Sequence, residues 1–71
     1  MEATKLTLKA ARVNAGMTQI EAAVKIGIAV ETLANYEKGK TYPNAPIIKA
    51  MEKIYKVNYD QIIFSHDDCD V

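Results

Sequence analysis

The only histidine and the only cysteine of this 71-residue chain, His66 and Cys69, stand among Asp67, Asp68 and Asp70. Imidazole, thiolate and carboxylate are all zinc-ligand types. A structural zinc site, however, needs four ligands held in fixed order, and a short acidic run gives them no frame. The expectation for residues 65–71 is a solvated, disordered acidic tail. A single cysteine closes no internal disulfide. No Ser or Cys sits beside a plausible base on a regular element, so nucleophilic catalysis has no constellation to use. The sequence therefore predicts no enzyme, no metal, no cofactor and no small-molecule substrate. The tyrosines take structural parts instead: Tyr55 packs a helix, and Tyr42 and Tyr59 are expected half-buried at a loop and a helix start.

The elements that remain are short helices with clear punctuation. From about Thr4 to Ala15, Leu8, Ala11 and Ala15 recur at i, i+3 and i+7 on one helical face, and Gly16 follows as a left-handed cap. Thr18-Gln19-Ile20-Glu21 is a capping box that opens a second helix, running to about Ile26 with Ala22, Ala23 and Ile26 inward. Gly27 ends it. A third helix covers about Val30 to Lys38, with Leu33 and Tyr36 inward and Gly39 behind it. Ala29 stands at its N-cap, an omission that costs about 1 kcal/mol against Ser or Thr. Asn44 caps a fourth helix whose first turn tolerates Pro46, and Ile47, Met51, Ile54 and Tyr55 line its buried face. A second capping box, Asn58-Tyr59-Asp60-Gln61, opens a short fifth helix with Val57 stapled onto Ile62.

Composition fits one globular domain, 49% hydrophobic and 25% charged with three Gly and two Pro. A chain this short buries only about 60% of its unfolded surface, so its core has little stability to spare. No apolar run approaches the ~18 residues of a membrane span, and no signal segment opens the chain. These features point to the cytoplasm. The net charge of zero hides an asymmetry: residues 1–64 hold nine Lys/Arg against six Asp/Glu, a balance of +3, while the other three acids lie in the last five residues.

Two short helices joined by a tight glycine turn suggest a helix-turn-helix. The spacing of Thr18-Gln19, Ala23, Gly27, Glu37-Lys38-Gly39-Lys40 and Pro43 resembles the Cro/C1-type (Xre-like) family of phage repressors and small phage regulators, over roughly residues 6 to 64. The resemblance implies an all-α, lambda repressor-like bundle of five short helices over residues 1–64, in a bacterial host's cytoplasm. It implies a partly buried ion pair between Arg12 and Glu37, and a small Ala23 where the motif helices cross. It also implies that the third helix enters the major groove of operator DNA, with Ala29, Val30, Glu31 and Asn35 facing bases. Gln19, Lys38, Lys40, Thr41 and Asn44 would then hold the phosphate backbone.

The reading helix departs from that pattern. Asn35 suits adenine and Val30 a thymine methyl, but Glu31 brings negative charge near phosphates. No Lys or Arg occupies its first two turns, so the counterion-release contribution to affinity is small. Two functions stay open. One is a phage-type transcriptional regulator that binds double-stranded operator DNA. The other is an antirepressor, or modulator of repression, whose helix-turn-helix docks on a partner phage repressor through Val30 and Glu31. A homodimer through Ile63 and Phe64 fits either, because those apolar residues come where the core runs out.

Overall fold

The computed structural model describes residues 5–63. Its elements are β1 (Leu6–Thr7), α1 (Leu8–Asn14), α2 (Gln19–Ile26), α3 (Val30–Lys38), α4 (Ala45–Tyr55), a single 3-10 turn at Tyr59–Gln61, and β2 (Ile62–Ile63). Each helix begins where an extended residue stands ready to cap it. Thr7, Thr18 and Asn44 accept from the amides of Ala10, Glu21 and Ile47, each at 3.1 Å. Ala29 holds the same extended geometry before α3 but has no side chain to offer.

The four α-helices close in one way. The amides of Met17, Ile28, Lys40 and Val57 donate to the carbonyls of Arg12, Ala23, Asn35 and Glu52 at 3.0–3.2 Å. Each of these six-residue closures passes through one left-handed residue, the Schellman pattern. Gly16, Gly27 and Gly39 fill that place in the first three. Lys56, at φ 58°, fills it in the fourth.

Leu8 and Ala11 of α1, Ala22 and Ala23 of α2, Leu33 of α3, Met51 and Tyr55 of α4 and Ile62 of β2 form the core. Leu33 and Met51 are the largest side chains wholly removed from solvent. Ile26, Tyr36, Ile47 and Ile54 pack partly buried against them. Alanines at positions 22 and 23 let α2 lie close to its neighbours, and α2 touches both α3 and α4.

Three expectations need correcting. Among the described residues the bundle has four α-helices, and the fifth expected helix is the 3-10 turn. Gln61 does engage the Asn58 amide, its Oε1 accepting at 2.9 Å. The β-branched pair Ile62-Ile63 then runs extended instead of winding on, because it pairs in parallel with Leu6 and Thr7. That pairing also corrects the start of α1: Leu6 and Thr7 are strand, with Thr7 as N-cap. Ala15 is exposed beyond the end of α1, not on its buried face. Tyr42 and Tyr59 are each 54% exposed, close to the half-burial expected of them. Phe64 and the acidic residues 65–71 lie outside the described residues.

Candidate nucleic-acid interface

The motif is built from α2, the turn Gly27-Ile28-Ala29, and α3. Thr18 Oγ1 accepts from the Glu21 amide while Glu21 Oε1 accepts from the Thr18 amide at 2.9 Å, a reciprocal capping box. At the other end of α2 the amides of Gly27 and Ile28 both donate to the Ala23 carbonyl. Gly27 adopts φ 93° to do so, a conformation that strains residues with a Cβ. Ile28 turns inward against the core and Ala29 is left exposed, so α3 starts at the surface.

Leu33 faces the core, and that orientation fixes what α3 presents to solvent. Ala29, Val30 and Glu31 are exposed in its first turn; Val30 is 41% exposed. Asn35, one turn beyond Glu31, is partly exposed, and among the described residues its side-chain amide has no hydrogen bond. Lys38, Lys40, Thr41 and Asn44 are exposed from the end of α3 through the loop to α4, while Pro43 between them is buried. Asn44 Oδ1 is taken by the Ile47 amide, so its Nδ2 is the group left to donate outward.

The scaffold beneath is a buried polar cluster joining three helices. Arg12 Nε donates to Glu37 Oε2 at 2.8 Å and Nη2 to Oε1 at 3.3 Å. Arg12 Nη1 donates to the Met17 carbonyl at 2.9 Å. Gln19 Nε2 donates to Glu37 Oε1 at 3.0 Å. The two charged side chains are only 8% and 5% exposed, so their paired and hydrogen-bonded arrangement is what makes burial tolerable. Tyr55 lies close enough to feel both charges. Burial pushes its hydroxyl up to about 12, the Glu37 carboxylate adds to the rise, and the Arg12 guanidinium opposes it. Among the described residues the Tyr55 hydroxyl has no hydrogen-bond partner.

The cluster changes what Gln19 can offer. One hydrogen of its amide nitrogen goes to Glu37, leaving the second Nε2 hydrogen and the backbone amides at the start of α2 as the donors a phosphate could meet. Sequence reasoning missed this link. No local signal in the sequence marks it, because the contact depends on how the two helices converge.

A family model described as helix-turn-helix matches residues 8–62. The chain belongs to the Cro/C1-type helix-turn-helix family. The matched span runs from the first residue of α1 to the first residue of β2, and so takes in the capping box, the Gly27 turn and the Arg12–Glu37 pair. The chain is 38% identical over 56 residues to the HTH-type transcriptional regulator ImmR of Bacillus subtilis (strain 168). That alignment covers 79% of this chain and 44% of the relative's length. No solved structure matches the chain. Among the described residues no helix is long and apolar enough to cross a membrane.

Proposed function

We propose that this helix-turn-helix protein is a transcriptional regulator of phage or prophage type that reads operator DNA with the exposed face of α3. The observation that carries the reading is the presentation of α3. Leu33 and the Glu37 anchor hold one side of the helix, leaving Ala29, Val30, Glu31 and Asn35 toward solvent at the end that would enter a groove. Asn35 would read adenine through its unengaged amide, and Val30 would touch a thymine methyl. The amides at the start of α2, with Lys38, Lys40, Thr41 and Asn44 Nδ2, would fix register on the phosphates. The relative's printed name, a transcriptional regulator, supports the same reading.

The test is selection from a random duplex library at low salt, followed by affinity measurements across a salt series. Enrichment of one sequence, with preference at one adenine lost on Asn35→Ala, is the expected result. That loss should amount to about 1–3 kcal/mol of discrimination. With few basic contacts the salt dependence should be shallow. Failure to enrich any sequence overturns direct reading.

A second reading is favoured by the composition of α3 itself. Its only basic residue is Lys38, in the last turn, and its first turn presents Val30 beside Glu31. Such a surface also suits docking on a partner repressor, as an antirepressor does. Ile63, 45% exposed, would lie at the edge of a homodimer contact. Binding to a repressor that is abolished by Val30→Asp, with no DNA enrichment, would favour this second function.

A further inference from the structure

An open groove of about 730 Å³ lies between the end of α2 and the outer side of α4. Lys25, Lys49 and Lys53 line it with Ala50, Ile54 and Val57. The lysines are exposed and the apolar residues partly buried, giving a cationic rim above an apolar floor. None of the three lysines is in an ion pair among the described residues. Glu52, the one acid in the groove, has an oxygen committed to the Tyr59 amide at 2.7 Å. Three like charges around an apolar strip favour an occupant with carboxylates and a few apolar side chains.

DNA is a poor match. Phosphates gain nothing from the apolar floor, and Lys25 sits at the opposite end of α2 from Gln19, about 9 Å along the axis at 1.5 Å per residue. The chain itself carries a better match. Asp67, Asp68 and Asp70 are flanked by Phe64 and Val71, which sets three carboxylates and two apolar side chains against three ammonium groups and an apolar floor. Ile62 pairs with Leu6, and Leu6 lines a neighbouring depression with Ile54 and Val57, the two residues that also line the lysine groove. Extended chain advances ~3.3–3.6 Å per residue, so Asp67 reaches up to about 14 Å from Ile63 and Asp70 up to about 25 Å.

We propose that residues 64–71 dock within the same molecule in this groove, setting Asp67, Asp68 and Asp70 against Lys25, Lys49 and Lys53. The zero net charge of the chain then reflects a local pairing of its acidic end with its basic face. The carboxylates are held away from the exposed face of α3, where they would repel phosphates.

The single cysteine makes this measurable in the full chain, without DNA. A nitroxide attached at Cys69 broadens nearby amide resonances steeply with distance. The expected result is strongest broadening at Lys25, Lys49, Ala50, Lys53 and Ile54. It should weaken at least twofold in 1 M salt, where the screening length falls to about 3 Å, and likewise in the Lys25→Ser, Lys49→Ser, Lys53→Ser variant. The unlabelled variant Asp67→Asn, Asp68→Asn, Asp70→Asn should shift those same amides while the remaining spectrum reports an intact fold. Broadening that simply decays along the chain from Ile63, or that centres on α3, overturns the proposal. So does broadening seen only between molecules, when nitroxide-labelled chains are mixed with isotope-labelled ones.

Discussion

Gln19 Nε2 lies 3.0 Å from Glu37 Oε1, which ties the first residue of α2 to the last turn of α3 through the same carboxylate that holds Arg12. The angle between the two motif helices is thereby set at both ends. Gly27 and Ile28 fix it at the turn, and Glu37 fixes it at the far side.

Because the pair is buried, removing one partner leaves a charge without compensation. Arg12→Met or Glu37→Met should each cost about 3–5 kcal/mol, while the double substitution should cost much less than the sum of the two. Urea unfolding followed by circular dichroism gives all three values. Additive losses would mean that the two side chains stabilise the fold independently.

The Tyr55 hydroxyl makes a prediction with a definite sign. Its folded value, about 12, lies above the ordinary 10.0, so the folded state keeps a proton that the unfolded state releases between these values. Stability from the neutral phenol is complete below pH 10 and lost as pH rises from 10 toward 12. Tyr55→Phe should flatten that part of the profile relative to the parent chain. At pH 7 it should change stability by less than about 1 kcal/mol, because the hydroxyl it removes has no partner among the described residues. Urea midpoints of both proteins at pH 7, 10 and 11 check it.

Helix termination offers a matched pair of tests. A Cβ added at Gly27 meets no atom within 4 Å, so Gly27→Ala should cost only the left-handed backbone penalty, about 1–2 kcal/mol. Lys56 already bears such a penalty at φ 58°, and Lys56→Gly should raise stability by up to about 1 kcal/mol. Thermal melts of the two variants should move in opposite directions.

Ala29 leaves α3 without a side-chain cap. Ala29→Ser should add one and stabilise the fold by about 1 kcal/mol. If α3 reads DNA, the same change should alter sequence preference, since position 29 lies at its exposed tip. A melting curve and a repeat of the library selection separate the two effects.

Much of this architecture was legible in the sequence because each helix carries its own start and stop residues. Thr18 with Glu21, Gly27, Gly39 and Asn44 locate α2, α3 and the start of α4 with no tertiary information. The strand pair was not legible. Two residues on each side give no periodicity, and Leu6-Thr7 reads as the opening of α1 until its partner, far along the chain, is known. Ala15 was misplaced because i+7 from Leu8 continues the apolar face only if the helix continues, and α1 stops at Asn14. At the candidate interface, exposure follows from helical phase, but the engagement of Gln19 by Glu37 depends on how two helices converge.

The pairing of Leu6 with Ile62 closes the longest loop in the described fold, and chain entropy makes such a closure the slowest to gain from. The helices and their turns can assemble from contacts local in sequence, after which the strand pair works as a clasp. Because the two strands run parallel, in a longer polypeptide whatever precedes Leu6 and whatever follows Ile63 would leave adjacent strands in opposite directions. A load applied through both ends would fall first on two short strands, with the motif helices behind them.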